Sequence, residues 1–312
     1  MSILCLQGMS HSPPENKLHK ISLMIAGAQK AGTTSLKNYL GQHPEIQTHH
    51  HKELAYFVDD QAFSEGYSAA EHKYFTPLKP NALLLAKSAG LYINGKAISR
   101  LRDHNPDCKL VMLLRNPVER TYSSFLMERN YGAINEPFDI ILDIIRAADP
   151  MDWRYEFFIG MSLYCKQIQL IHQYFPKENV RLIKYEDFSS DPQAVCSDLF
   201  QWMNVQPGFK TNTSVKHNVT TVTRSQTYGK LLLKVLKNSS PLKKAARALL
   251  PGKMDYKVGE AMRKINHTGR KYDPIDDKIQ AELTAFFKPY NDELSTLAGI
   301  DFSAWNKIHE RV

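Results

Sequence analysis

The sequence lacks the features that place a protein in a membrane, and it has few cysteines. No apolar run approaches the roughly 20 residues that a transmembrane helix needs. Residues 1–20 hold only a short apolar patch followed by two prolines, which is too short for a secretory signal. The cysteines have neither metal-site nor disulfide spacing, which predicts reduced thiols; they are Cys5, Cys108, Cys165 and Cys196. Together these absences predict a cytoplasmic protein.

Length and composition indicate one large folded domain. A chain of 312 residues is long enough to bury a full core. Its 43% hydrophobic and 23% charged residues are ordinary values for a folded protein. We expect an N-terminal extension over residues 1–20 and a single domain over residues 21–312.

Basic residues are concentrated in one part of the chain, residues 210–271, which we call the basic segment. It holds 15 Lys and Arg residues against 2 Asp and Glu residues, a local net charge of +13 in a chain whose total is +8. Lys230, Lys234 and Lys237 lie there at helical spacing beside leucines. Such a face is either simply solvated or attracts an anionic donor and acceptor. No nucleic-acid-binding motif accompanies the charge, so nucleic acid is not an expected partner.

Short apolar runs alternate with amphipathic segments along most of the chain. Runs typical of buried strands cover residues 21–26, 82–86, 110–114 and 180–185. Helical patterns cover residues 34–40, 95–103, 117–130, 137–147, 160–174, 192–203 and 274–297. This alternation predicts an α/β domain with a central parallel sheet flanked by helices.

The stretch after the first predicted strand, residues 27–32, has the composition of a phosphate-binding turn, and we call it the Lys30 loop. Gly27 and Gly32 have the GxxxxG spacing of a phosphate loop, and the helix that follows can direct backbone N–H groups at an anion. A nucleoside triphosphatase would need Lys and then Ser or Thr after the second glycine, whereas Thr33 and Thr34 stand there. The loop therefore predicts a phosphate site whose chemistry needs the cation of Lys30 but no hydroxyl ligand for magnesium.

A second phosphate-type pattern lies around Arg115. The apolar run 110–114 ends at this arginine, Pro117 suits the first turn of a helix, and Ser123 lies within that helix. Arg115 would stand at the carboxyl end of a parallel strand, where open α/β sheets bind ligands. Its guanidinium can fork onto phosphate oxygens, and a serine hydroxyl adds a further donor.

These two motifs, in this order, resemble those of sulfotransferases that use 3′-phosphoadenosine 5′-phosphosulfate (PAPS), and the similarity extends from about residue 23 to residue 305. The resemblance is to bacterial sulfotransferases related to the heparan sulfate and glycan enzymes, and it implies a P-loop-like fold. The resemblance implies that Arg115 and Ser123 hold the 3′-phosphate of the donor. It implies that the 5′-phosphosulfate is held by Lys30, Ala31, Gly32, Thr33, Thr34 and Ser35. A simpler role for Thr34 and Ser35 is to cap the helix.

The resemblance also implies the catalytic groups. Lys30 would neutralise the leaving bridging oxygen. Glu53 occupies the position of the proposed catalytic base of heparan sulfate-type enzymes; the simpler alternative is a surface carboxylate paired with Lys52. One of His49–His51 as the base, oriented by Glu53, is a further alternative that would resemble small-molecule sulfotransferases. Three adjacent histidines without a Cys or Asp cluster do not predict a metal site.

Two further segments resemble family motifs but depart from them. Lys87 matches a lysine that contacts the sulfate or the acceptor, although Ala86 stands where an acidic residue is usual and Ala89 replaces a proline. The second segment resembles a Lys-Gly-Arg-Lys-Tyr loop that closes over the 3′-phosphate, with threonine in place of the first lysine. It comprises Thr268, Gly269, Arg270, Lys271 and Tyr272. The alternative for it is an ordinary basic turn.

The sequence therefore predicts a PAPS-dependent sulfotransferase that modifies a hydroxyl or amine and requires no metal. The resemblance favours a glycan or glycolipid acceptor, and a lipid, polyketide or other small alcohol is the alternative. A non-catalytic protein that binds PAPS or adenosine 3′,5′-bisphosphate (PAP) is the alternative of a different class. A P-loop kinase or other nucleoside triphosphatase does not fit the residues that follow Gly32.

Overall fold

A parallel β-sheet forms the centre of the fold in the computed structural model of the chain. The described residues are 19–149, 151–214 and 272–308, together with positions 222, 225, 227, 228, 268 and 270. Most of the expected N-terminal extension and most of the basic segment lie outside the described residues, as do Lys230, Lys234, Lys237, Gly269 and Lys271.

The sheet contains strands β1 (Ile21–Gly27), β2 (Ile46–Thr48), β3 (Leu83–Lys87), β4 (Lys109–Leu114) and β5 (Val180–Lys184). Their order is β2-β3-β1-β4-β5, and every neighbouring pair is parallel. The predicted α/β fold class is confirmed, and the four apolar runs form β1, β3, β4 and β5. Strand β2 was not predicted because three residues, two of them polar, make no apolar run.

The helices are α1 (Thr33–Leu40), α2 (Asp60–Ser64), α3 (Tyr67–Phe75), α4 (Gly95–His104), α5 (Pro117–Tyr131), α6 (Ile140–Ala147), α7 (Tyr164–His172), α8 (Tyr185–Ser190), α9 (Pro192–Trp202) and α10 (Asp277–Ala298). Patterns in the sequence predicted α1, α4, α5, α6, α7, α9 and α10. Helix α10 begins later than predicted because the Asp276 carboxylate accepts hydrogen bonds from the N–H groups of Lys278 and Ile279 and so caps it. Residues 160–162 form a separate 3₁₀ turn before α7.

Two apolar clusters hold these elements together. The larger one contains residues of the strands and of helices such as α1, α4, α7 and α9, and Phe302 and Trp305 of the C-terminal tail pack into it as expected. The smaller one joins α5 to α10 through residues such as Phe125 and Phe287, both fully buried. Packing of this kind fixes α5 across the carboxyl end of β4.

Strand β1 is the branch point of the sheet. Its neighbour on one side is β3 and on the other side is β4, so connections leave the sheet in opposite directions there. Such a switch point opens a crevice at the carboxyl ends of the strands. Lys30, Lys87 and Arg115 stand at or just beyond the ends of β1, β3 and β4, so the fold brings these three predicted site residues to one edge.

Gly32 allows the Lys30 loop to pass directly into α1. Its φ of 86° is left-handed, a conformation that glycine adopts without the steric cost of a side chain. A Cβ atom at this position would lie 3.2 Å from Cε2 of Tyr185 and 3.3 Å from Cε1 of Phe188. The glycine therefore serves both the turn and the packing of α8 against it.

Replacing Gly32 with alanine should lower the free energy of unfolding more than the same replacement at Gly299. Gly299 is also left-handed, with a φ of 64°, but an added Cβ there meets no atom within 4 Å. Both variants bear the cost of a left-handed alanine, about 1–2 kcal/mol, and only Gly32→Ala also crowds two aromatic rings. Urea unfolding of both variants measures the difference, and equal losses would contradict the packing role.

Candidate active site

The Lys30 loop makes a sharp turn between β1 and α1. Lys30 and Gly32 have φ angles of 73° and 86°, so two left-handed residues flank the buried Ala31. Gly32 is the N-cap residue of α1 and no side chain caps that end; Thr34 and Ser35 lie within the helix, so the simpler capping role is wrong for both. The first N–H groups of a helix have no partner within it and carry the positive end of its dipole. The loop thus presents backbone groups suited to a phosphate.

Positive charge is concentrated around Lys30. Burial, followed by the charges of Lys52, Arg115 and Arg120, lowers the pKa of Lys30 to about 8, while Glu128 acts in the opposite direction. A buried ammonium beside other cations gains when an anion binds next to it, because the anion favours the charged form. This arrangement fits the PAPS donor that the sequence predicts, which carries a phosphosulfate and a second phosphate.

Arg115 ties the Lys30 loop to the end of β4. Its Nη1 donates to the carbonyl oxygen of Lys30 at 3.2 Å, and its Nε and Nη2 donate to Oε2 of Glu119 at 3.0 and 2.9 Å. Its guanidinium lies 5.0 Å from the centre of the Tyr185 ring, the ring that borders Gly32. Ser123 is half-buried in the second turn of α5, the helix that begins just after Arg115. The two predicted 3′-phosphate groups therefore lie on consecutive elements.

An ion pair joins Glu53 to Lys87 beside this loop. Nζ of Lys87 is 2.5 Å from Oε1 of Glu53 and also donates to Oγ1 of Thr34 at 3.3 Å. The Lys87 side chain is 1% exposed, whereas that of Glu53 is 40% exposed. The sequence alternative paired Glu53 with its neighbour Lys52; in the structure the ion pair is with Lys87. Two of the predicted catalytic residues are thus in direct contact, and both are linked to the first turn of α1.

The alanine at position 89, where the family pattern has a proline, also contacts Glu53. Oε2 of Glu53 accepts a hydrogen bond from the Ala89 N–H at 2.9 Å. A proline, which the family pattern has at this position, carries no N–H to donate. The alanine therefore supplies a second donor that fixes the orientation of the carboxylate.

The three adjacent histidines lie in different surroundings. Nε2 of the buried His49 accepts a hydrogen bond from the backbone N–H of Lys87 at 3.1 Å, and burial lowers the pKa of His49 well below its usual value. Nε2 of His50 donates to the carbonyl of Thr76 at 2.9 Å. The His51 ring packs edge-on against Tyr74. None of the three is among the described residues that line the cleft beside Glu53, which favours Glu53 as the base.

Lys37 was not singled out from the sequence, yet it holds the segment that leads to Glu53. Its buried Nζ donates to the carbonyl oxygens of His49 at 2.9 Å and His51 at 2.8 Å. Burial is the main reason that its pKa is lowered to about 8. The sequence held one signal for this role. Lys37 lies one turn from Thr33 and Leu40 in α1, and both are buried, so Lys37 is on the inner face of the helix.

A cleft of about 520 Å³ opens beside the ion pair. Gln29 of the Lys30 loop and Glu53 both line it, together with residues that follow β3, such as Ser88 and Ala89. The phosphate-type loop and the carboxylate therefore border one space, which is open to a second molecule.

The described part of the predicted 3′-phosphate loop lies against α5. The backbones of Thr268 and Arg270 both hydrogen-bond to Val222. The Tyr272 hydroxyl hydrogen-bonds to the side-chain oxygen of Asn130 in α5. Arg270 is 76% exposed and lies 3.9 Å from Asp273. Tyr272 is thus anchored on the helix that carries Ser123, and the guanidinium of Arg270 faces solvent.

Membrane spans, metal clusters and disulfides are absent from the part of the chain that the structure describes. Its helices are all too short or too polar to span a bilayer. No group of three or more His, Cys, Asp or Glu residues in the same ranges could hold a metal ion. Cys108, Cys165 and Cys196 are buried free thiols.

The comparison with protein families identifies the chain. The family model for the sulfotransferase domain matches residues 20–289. The chain belongs to the sulfotransferase family. The sequence prediction of an enzyme of this family is thereby confirmed.

Known relatives share a minority of residues with the chain. It is 26% identical to the membrane-associated sulfotransferase kil1 of Dictyostelium discoideum, over 66% of this chain and 62% of that protein. It is 24% identical to the bifunctional heparan sulfate N-deacetylase/N-sulfotransferase 1 of Caenorhabditis briggsae, over 90% of this chain and 31% of that protein. The chain thus spans less than two thirds of the length of either. It is 22% identical to the heparan sulfate glucosamine 3-O-sulfotransferase 6 of Mus musculus, over 89% of this chain and 72% of that protein.

A solved structure shows the same fold. The crystal structure of a sulfotransferase from Alicyclobacillus acidocaldarius superimposes with a TM-score of 0.65, covering 93% of this chain and all of that one at 21% identity. The predicted sulfotransferase fold, a parallel sheet with flanking helices, is confirmed.

Replacing Lys37 with methionine should slow sulfuryl transfer while leaving the affinity for PAP within about twofold. Without the ammonium, the backbone of His49 and His51 is no longer held against α1, and Glu53 loses its position. Misplacement of a catalytic group by about 1 Å can lower the rate by as much as a hundredfold. We expect kcat to fall at least about tenfold. Lys288→Met, on an exposed surface pair with Asp292, is the matched control. An unchanged kcat in Lys37→Met, or an equal loss in the control, would contradict the positioning role.

Proposed function

We propose that this chain moves the sulfuryl group from PAPS to a hydroxyl or amine of an acceptor. The observation that carries the proposal is the line of contacts from Thr34 in α1 through Lys87 to Glu53 at the cleft. These contacts place the Lys30 loop, where cations surround a site suited to an anion, on one side of the cleft and the Glu53 carboxylate on the other. Holding two reactants in such a space is a large part of what a transferase supplies.

The Lys30 loop suits the 5′-phosphosulfate of the donor. The N–H groups at the start of α1 and the hydroxyls of Thr33, Thr34 and Ser35 would bind phosphate oxygens. The Lys30 ammonium would neutralise the bridging oxygen as the bond from that oxygen to sulfur breaks. The excess of positive charge around Lys30 supports this role, because a donor with several anionic groups would balance it.

The 3′-phosphate would be held at the end of β4 and by α5. Arg115 and Ser123 would donate to its oxygens, and the residues around Arg270 and Tyr272 would close over it. Support comes from the anchoring of Tyr272 on Asn130 of α5, the helix that begins after Arg115 and carries Ser123. Arg115 already contacts the Lys30 backbone, so the two phosphate sites would be coupled through one side chain.

Glu53 is the proposed general base. The transferred unit is neutral SO₃, so the attacking hydroxyl must give up its proton as the new bond to sulfur forms. A carboxylate oxygen has two lone pairs, so Glu53 can take that proton while it keeps its hydrogen bonds from Lys87 and Ala89. Lys87 would fix the carboxylate and add positive charge beside the transferred group.

The class of acceptor has two candidates. Two relatives are heparan sulfate sulfotransferases, which favours a sugar hydroxyl or amine, and hence a glycan or glycolipid. The apolar side chains that line the cleft favour a lipid, polyketide or other small alcohol.

Donor affinity should fall as the pH rises through about 8. The pKa of Lys30 in the free protein is about 8, below its ordinary value, and the bound anion favours the charged form. Binding therefore takes up a proton above that pH, and the Kd for PAP should rise by up to roughly tenfold per pH unit. Calorimetry between pH 7 and 9.5 measures this step, and Lys30→Arg should flatten it because arginine stays charged. Lys37 also has a pKa near 8, and it is unchanged in Lys30→Arg. If the Kd for PAP depends on pH in this variant as it does in the wild type, the step belongs to another group such as Lys37 and not to Lys30.

Replacing Glu53 with glutamine should lower the rate of sulfuryl transfer on the order of 10²–10⁴-fold, the usual contribution of a general base. The measurement is transfer of labelled sulfate from PAPS to the best acceptor of a hydroxylated panel, with magnesium chelated by EDTA. The affinity for PAP should stay within about twofold, since Glu53 is assigned to the acceptor side.

His50→Gln is the matched control for Glu53→Gln, and it should keep the wild-type rate. A silent Glu53→Gln together with an inactive His50 or His51 variant would move the base to the histidines. Wild-type protein that binds PAP but transfers no sulfate would favour the non-catalytic alternative.

A further inference from the structure

The cleft beside Glu53 has a largely apolar lining. Ala55, Val58 and Ile93 contribute apolar surface. Of the described residues that line the cleft, Glu53 is the only ionisable one, and none is a lysine or arginine. Its volume of about 520 Å³ lies within the roughly 300–1,000 Å³ of pockets that take small molecules.

Cations that adjoin the lining residues in sequence are already engaged. Lys96, which follows Gly95, lies 2.8 Å from Asp60, and Lys87 lies 2.5 Å from Glu53. Lys52 repels both Lys30 and Lys87, and none of these three lysines is among the described residues that line the cleft. The described lining therefore offers one carboxylate, which Lys87 balances from behind the lining, and no cation of its own.

We propose that the acceptor is an uncharged alcohol on an apolar body rather than an anionic polysaccharide. This assignment rests on the proposed function, because it names the acceptor of the same site. A polyanion in the cleft would place its charges beside the Glu53 carboxylate, and none of the described residues that line the cleft carries a positive charge to meet them. An apolar body would remove Ala55, Val58 and Ile93 from water, which is favourable in proportion to the area buried.

The transfer step with such an acceptor balances without a further reactant. The alcohol oxygen forms a new bond to sulfur while the bond between sulfur and the bridging oxygen of PAPS breaks. The electron pair of the broken bond stays on the 5′-phosphate of PAP, beside Lys30. The alcohol proton passes to Glu53, and the products are PAP and the sulfate ester.

A competition between acceptors tests the assignment. The full chain and labelled PAPS are supplied with three apolar alcohols, namely decan-1-ol, a sterol in cyclodextrin and 2-naphthol, and separately with a maltotetraose and an unsulfated heparosan tetrasaccharide. We expect kcat/KM for at least one apolar alcohol to exceed that for both oligosaccharides at least tenfold. An oligosaccharide that is used as well as or better than the alcohols, or no transfer to any of the three alcohols, overturns the assignment.

A charge introduced at the cleft gives a second, independent readout. Val58 is 36% exposed at the cleft, and Ile308 is an exposed apolar residue of the C-terminal tail at 51%. Val58→Lys should lower kcat/KM for the alcohol at least tenfold, with the PAP affinity unchanged. Ile308→Lys, the matched control, should behave as wild type. Equal behaviour of the two variants overturns the assignment.

Calorimetry with PAP separates this assignment from the proposed function. If the chain binds PAP and transfers sulfate only to an oligosaccharide, the apolar acceptor is overturned and the proposed sulfotransferase function stands. A chain that binds no PAP and modifies no acceptor overturns both.

Discussion

The buried ammonium of Lys87 is the interaction on which the rest of the site depends. It contacts Glu53 and Thr34 through its side chain, and its backbone N–H and carbonyl contact His49 and Leu54. One residue at the end of β3 therefore joins the sheet, the start of α1 and the segment that carries Glu53. A buried charge is costly unless it is paired and hydrogen-bonded, so Glu53 stabilises the buried Lys87 ammonium in addition to its proposed chemical role.

Two other lysines lie around α1, the buried Lys37 and the half-buried Lys30, and they have different surroundings. Lys37 donates to two backbone carbonyls, which carry no full negative charge, and Lys30 lies among cations. Burial is the first cause of the lowered pKa of Lys30, Lys37 and Lys87. The fold thus holds positive charge in place before any ligand binds, and groups aligned in advance need no reorganisation when charge develops on a leaving oxygen. A polyanionic donor is the partner that relieves this excess.

Periodicity in the sequence predicted the central part of the fold well, because four of its strands are continuous apolar runs and its longer helices have one apolar face. It missed β2 and the short helices α2 and α8, which are too brief to show a period. It also missed α3, in which Glu71 lies among the buried residues and the sequence shows no clear apolar face. In the site, Lys30, Glu53 and Lys87 were predicted from motifs, and the structure brings Glu53 and Lys87 into contact. The role of Lys37, the N–H of Ala89 and the largely apolar lining of the cleft were not predictable, since each depends on how segments far apart in sequence pack.

A crystal structure of the chain with PAP tests the central claim most directly, namely that the Lys30 loop holds the donor next to Glu53. We predict the 5′-phosphate at the N–H groups that begin α1, with the Lys30 ammonium against it and the Glu53–Lys87 pair intact at the edge of the cleft. The 3′-phosphate should contact Arg115. PAP bound away from the Lys30 loop, or a Glu53 carboxylate turned out of the cleft in that complex, would contradict it.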